Sequence, residues 1–264
     1  MITRLELALL WRSRRPHLVA ASLAVLLAAM LLGFFTGGES RAGLGGLFLA
    51  FASSHFGLVL VLPVFAAVEG SAQIAGEASS GTLLLLLTRP LGRRRLFLTK
   101  LAVAAGFVSL AAGALLAAAV VLGLALGGGG DLDLPPGVLA IVESPQHLGR
   151  GAAVARFVLT WPATSLALLA PLSLGFLVAA WIRRPLPAAA TAVAIYVVGF
   201  ALAEARPFAD LRPWLFTSHM AYWGALFRAD IPWRELALEA AVLLANAVLF
   251  AALAFRRFRL REER

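Results

Sequence analysis

The sequence predicts an all-α integral membrane protein, and three observations carry that expectation. Hydrophobic residues make up 61% of the 264, charged residues only 14%, and the mean hydropathy is +0.89. A soluble domain carries about 25% charged residues, so this chain has too few to cover a water-facing surface. Six apolar stretches are close to the ~20 residues that cross a ~30 Å hydrocarbon core. Those stretches are apolar on every face and lack the alternation of barrel strands, which leaves helices as the way to satisfy their backbone in lipid. A soluble enzyme, a disordered tail and a nucleic-acid-binding domain are excluded as the main reading, and nucleic acid is not an expected partner. The net charge of +9 reads instead as basic loops retained on the cytoplasmic side. No cysteine is present, so disulfides, thiol catalysis and cysteine-held metal are excluded.

The predicted spans are Leu18–Phe35, Leu47–Val68, Leu101–Leu126, Thr160–Trp181, Leu186–Ala203 and Leu236–Phe255 within a single permease-sized domain, residues 1–264. An even number puts both termini on one side. That side gathers sixteen basic residues, among them Arg12, Arg14, Arg15, Arg94, Arg95, Lys100, Arg183, Arg184 and Arg256, against six on the other. The asymmetry places both termini in the cytoplasm. Residues 1–16 set Ile2, Leu5 and Leu9 against Arg4, Glu6 and Arg12 and end at Pro16, which predicts a short amphipathic helix lying on the membrane surface. Ser13-Arg14-Arg15 before an apolar run resembles an export signal. The run is long for one and no small-residue cleavage site follows, so an uncleaved first span is expected.

Two outer loops have texture. Gly127–Gly130 and Pro135-Pro136 bracket Asp131 and Asp133, predicting a flexible, solvated loop with too few oxygen ligands for a cation. Residues 204–235 contain Trp214, Phe216, Met220, Tyr222, Trp223 and Phe227 beside Arg212, Ser218 and His219. That mixture is too polar to span and too aromatic to float, so an interfacial or re-entrant segment is expected there.

Polar residues inside spans are functional candidates by default. His55, beside Ser53 and Ser54, and Asn246 are therefore the candidate substrate-path residues, with hydrogen bonding between helices as their plainer role. Arg156 and Glu239 sit near outer span ends and can snorkel. Pro162 and Pro171 are expected to kink the fourth span, and Gly33, Gly106 and Gly113 to allow close packing. His147 and His219 are too isolated for a metal site, and none is predicted.

The most informative stretch is residues 69–100. It runs from Glu69 through Glu77, Gly81 and Thr82 to the leucines Leu83–Leu87, then Thr88, Arg89, Pro90, Gly92, Arg93 and finally Lys100. A polar turn, a short leucine-rich helix, a proline stop and a basic run are expected. Five leucines facing the cytoplasm need a cover, either the membrane interface or a groove on a partner protein. The basic run anchors the next span.

Here the chain resembles the permease subunits of type-2 ABC exporters. The resemblance rests on Glu77, Gly81-Thr82, the apolar run with Leu83, Leu84 and Leu87, then Pro90, Arg93 and Lys100, with Gly92 where the family often has Ser. The span number, the amphipathic start, the aromatic segment before the last span and the basic tail agree. The chain looks most like the short permeases with a separately encoded ATPase, including those serving copper-enzyme maturation. The resemblance implies a permease that pairs with a second copy or a close relative, in contact with membrane lipid, in a bacterial or archaeal inner membrane. It implies cytoplasmic ABC ATPases docked on Glu77–Thr88 as a coupling helix. It also implies that this chain is not an enzyme and binds no cofactor, ATP and Mg being held by the ATPase. The absence of a G-x-x-x-x-G-K-[ST] loop agrees. Glu77 is expected at the start of that helix, either accepting backbone N–H groups or pairing with an ATPase arginine.

Two other readings compete. A secondary transporter or channel would need paired intramembrane charges or broken helices, and the spans have no acidic residue at their centres. An intramembrane serine protease would need Ser and His facing each other. Ser53 and Ser54 are neighbours of His55 on one helix and do not face it.

Overall fold

The computed structural model describes residues 45–80, 92–135 and 146–261. The first predicted span and the amphipathic start lie outside the described residues. Five helical runs are long and apolar enough to cross a membrane: Gly46–Gly76, Arg94–Ala125, Arg150–Trp181, Pro185–Glu204 and Trp233–Arg259. These are the five later spans of the sequence reading, with different ends.

The second span begins as α1, Gly46–Phe56, passes through one π-helical turn at Gly57–Val61 and continues as α2, Leu62–Ser80. Pro63 causes the interruption. It has no N–H to offer the carbonyl four residues back, so the chain takes a wider turn in which Leu62 N–H reaches Gly57. The orphaned carbonyl is that of Val59, and the buried Tyr196 hydroxyl donates to it from a neighbouring span. In lipid such a carbonyl would otherwise cost several kcal/mol.

The third span is α3, Arg93–Gly127. A short antiparallel pair follows, β1 Leu132–Leu134 with β2 Gln146–Leu148, in the register Leu132↔Leu148 and Asp133↔His147. Asp131 and Asp133 are solvated as expected, but the strand pair corrects the expectation of a flexible loop. The Leu-Asp-Leu alternation turns Leu132 and Leu134 inward and Asp133 outward, as a strand requires. The fourth span is α4, Arg150–Ala167, and α5, Leu169–Trp181, broken at Leu168. Pro171 explains the break, because it cannot donate to the Ala167 carbonyl. Pro162 sits inside a continuous α4, so only one of the two prolines interrupts the span. α6 is Pro185–Glu204. Three 3₁₀ turns, Arg206–Trp214, Phe216–His219 and Tyr222–Phe227, lead to α7, Trp233–Arg261.

α5 is the central pillar. Ten of its thirteen residues are buried, and α2, α6 and α7 pack around it. The α2–α5 crossing brings backbone against backbone. A Cβ on Gly70 would lie 2.1 Å from the Leu172 carbonyl oxygen, and one on Gly175 would lie 2.2 Å from that of Ala67. A second such crossing joins α1 to α3, where Gly46 meets the Gly123 carbonyl and Gly127 meets the Gly46 backbone. Small residues at i and i+4 make this possible. Of the expected packing glycines, Gly113 does allow close approach, by the Trp161 ring of α4, whereas Gly106 has nothing within 4 Å of where a Cβ would be, which corrects that expectation. The small residues of the second span are used within this chain, at Gly46 and Gly70.

Substitution at the crossing is therefore expected to separate from substitution beside it. Gly70→Val or Gly175→Leu should lose more than the 1–3 kcal/mol typical of overpacking, since the obstacle is backbone. Gly106→Ala should leave stability unchanged. Thermal unfolding of purified protein in one detergent, followed by size-exclusion profile, measures both.

Candidate functional site

Two ends of the bundle are distinguishable. One carries β1, β2 and the 3₁₀ turns (the loop end). The other carries Arg94, Arg95, Arg183, Arg184 and Arg256 (the arginine end).

At the arginine end, residues 69–80 are not the expected polar turn. They continue α2 as helix to Ser80. Glu69 and Gln73 are each 4% exposed, and Gln73 Nε2 donates to Glu69 Oε1 at 2.5 Å. The i, i+4 spacing puts both on one helix face, where the carboxylate meets an amide instead of hydrocarbon. Lys100, also buried, lies near the start of α3. The sequence reading missed this buried pair because hydropathy falls at Val68. Glu77 also lies within α2, so it does not open a helix. A carboxylate there is far from the free N–H groups at the helix start, which removes the expected dipole role. Gly81, Thr82, Leu83, Leu84, Leu87 and Pro90 lie outside the described residues, and Glu77 and Arg93 are placed by their backbone alone.

The flanks of that segment are both seated on α5. On one side is the Gly70–Gly175 crossing. On the other, Phe97 of α3 packs edge-on against Phe176 with ring centroids 5.6 Å apart, and against Phe255 of α7 at 5.4 Å.

At the loop end, the aromatic segment divides. Its first turn is exposed, with Trp214 83% exposed, while Trp223 and Phe227 are fully buried. Phe227 packs on Phe51 of α1 and Phe157 of α4, at 4.8 and 4.9 Å. Arg156 holds the segment in place. It donates to the carbonyls of Leu226 at 2.8 Å, Arg228, and Ala229 at 3.2 Å. Tyr222 Oη donates to Ala163 at 2.7 Å. His219 Nδ1 faces Glu239 of α7 and its Nε2 lies 3.3 Å from the Pro213 carbonyl. Thus Arg156 and Glu239, read as snorkelling residues, tie the segment to two spans. His147 lies between Asp133, at 2.6 Å, and Asp131, at 3.6 Å.

His55 sits beneath this plug, its ring 5.9 Å from Trp223, with Nδ1 buried and unpartnered among the described residues. Both serines donate to Ala50 on their own helix, so neither is joined to His55. Asn246 does not bridge helices as expected. Its Nδ2 donates to Val242 one turn back, at 2.9 Å. No described contact joins His55 to Asn246.

The model of the family described as ABC-2 family transporter protein matches residues 1–205. The chain belongs to that family. It is therefore the membrane-spanning permease component of an ABC transporter, a multi-pass membrane protein, and an ABC ATPase subunit is implied as its partner. Comparison with curated proteins gives no match. For an ABC-2 permease the two described regions divide naturally. At the arginine end α2 and α3 flank residues 81–91, and the loop end closes the bundle with an aromatic plug.

The His219–Glu239 pair is expected to make that plug respond to pH. The hydrogen bond that His219 donates to Glu239 leads in raising the His219 pKa above its ordinary value of 6.5, opposed by burial. A raised folded-state value means the stabilisation is complete below pH 6.5 and is lost as pH rises through the folded value. Amide exchange across residues 216–227 should accelerate between pH 6 and pH 9 beyond its intrinsic pH dependence. Glu239→Gln should flatten that excess.

Proposed function

We propose that this permease works as a pair in an exporter of a bacterial or archaeal inner membrane, with both termini in the cytoplasm. Residues 69–100 would carry the ATPase stroke into the spans. The observation that supports this most is mechanical. The two arms that flank residues 81–91 both bear on α5, one by backbone contact at Gly175 and one by the Phe97–Phe176 contact. A displacement of the segment between them therefore reaches the most buried helix directly, and packed cores respond by switching rather than bending. Leu83, Leu84 and Leu87 supply the apolar face for an ATPase groove, and Glu77 the charge for one of its arginines. Pairing is supported by the apolar face left exposed on α6, at Ile195 and Val198. His55, under the plug, is the candidate contact for cargo. ATP and Mg belong to the ATPase.

Glu77→Arg combined with Leu84→Asp and Leu87→Asp should leave a folded permease that no longer retains its co-expressed ATPase. The measurements are size-exclusion profile, co-purification, and ATP hydrolysis with and without the permease. Unchanged retention and stimulation would remove residues 77–88 from coupling.

The orientation has its own test. Single cysteines at residues 90 and 260, in a chain without native cysteine, should be protected from an impermeant thiol reagent in intact cells and react after lysis. Labelling in intact cells would reverse the topology.

A further inference from the structure

One wall of the bundle carries a feature that coupling does not use. An open-sided cavity of about 630 Å³ runs between α3 and α4, lined by Leu110, Gly113, Ala117 and Val121 on one side and by Val158 and Trp161 on the other. Leu110, Val121 and Val158 are 68, 64 and 64% exposed, so no described residue covers them. Trp161 brings the one polar side-chain group among these six, and its Nε1 already donates to the Ser109 carbonyl at 2.9 Å. The lining therefore asks for an occupant without hydrogen-bonding groups.

Length and charge specify it further. From Leu110 to Val121 the groove follows twelve residues of α3, about 16 Å at a rise of ~1.5 Å between successive residues, or roughly half of a ~30 Å hydrocarbon core. That is the depth of one leaflet. The groove rises towards the loop end, where Val154 lines it too. One turn beyond Val154, on the same helix face, is Arg150. Its guanidinium lies beside Gly129, just past the end of α3; a Cβ on Gly129 would be 3.0 Å from it. The cation thus stands over the mouth between the two helices. Asp131 accepts the backbone N–H of Arg150 at 2.9 Å and lies 3.6 Å from His147. Among the described residues the guanidinium itself forms no ion pair.

We propose that this groove holds an acyl chain of a resident phospholipid whose phosphate rests against Arg150. An apolar channel about one leaflet deep, with a cation at its loop end that forms no ion pair among the described residues, has the chemistry of that molecule. A second copy of the chain, or the apolar stretch 18–35, is the rival occupant of such a groove, and disulfide trapping separates these from a lipid.

The test uses purified full-length permease in nanodiscs containing phosphatidylglycerol with a diazirine on its acyl chain, followed by peptide mapping. Label should concentrate in residues 110–121 and 154–161 over the exposed α7 face at residues 238–249. Filling the groove with Ala117→Phe and Val158→Phe should abolish that concentration. Arg150→Ala, on the exposed surface, should weaken lipid retention in native mass spectrometry about fivefold, the contribution of one basic side chain near an anionic headgroup, and Arg150→Lys should restore most of it. If the double variant does not fold, the two Arg150 variants decide. Equal labelling of α7, or retention indifferent to Arg150→Ala, would overturn the proposal. So would an unlabelled groove in which a cysteine at 158 forms a disulfide with one placed in residues 18–35 or in a second copy.

Discussion

The bundle depends on two glycines meeting. Gly70 of α2 and Gly175 of α5 bring their backbones into contact so close that neither has room for a methyl group. Lipid tails are as apolar as leucine, so burying apolar surface does little to hold spans together. Close van der Waals contact and shared hydrogen bonds do that work instead. The crossing fixes α5 at the centre, α6 then packs on both α2 and α5, and α7 packs on α5. The polar groups near it are arranged to suit the same dryness. Glu69 is bonded to Gln73, and Ser71 Oγ donates to Val68 at 2.8 Å.

The helices were legible because membrane thickness imposes a length that composition reveals. Their ends were less so, for reasons that individual residues show. The fourth span was expected from Thr160 but begins at Arg150. Arg156 lowers the local hydropathy, yet in the structure three carbonyls absorb its guanidinium. The second span was expected to end at Val68 but continues as helix, because Glu69 and Gln73 satisfy each other. A hydropathy window charges each polar residue its full cost and cannot see a partner.

The site was legible unevenly. The aromatic segment was recognised as neither span nor loop, but which rings face inward depended on Arg156 and Tyr222 reaching carbonyls about 60 to 70 residues away in sequence. His147, read as isolated, acquired two aspartates through a strand pairing that closes a loop. Asn246 was expected to bond across helices and instead satisfies its own, a choice open to any Asn in a helix and undetermined by its position. The glycines were visible as small residues, but pairing Gly46 with Gly123 requires knowing which helices are neighbours.

The π-helical turn has a consequence for phase. An extra residue accommodated in one turn rotates everything after it by about 100° relative to an uninterrupted helix. The second span therefore behaves as two rods on one axis. Its upper rod aims Gly46 at α3 and its lower rod aims Gly70 at α5, and Pro63 with Tyr196 sets the angle between them. A descendant chain that lost one residue from Gly57–Val61 would keep its hydropathy profile unchanged. Yet it would swing the lower rod's contact face away from the central pillar, unless its small residue moved along the chain by the same step.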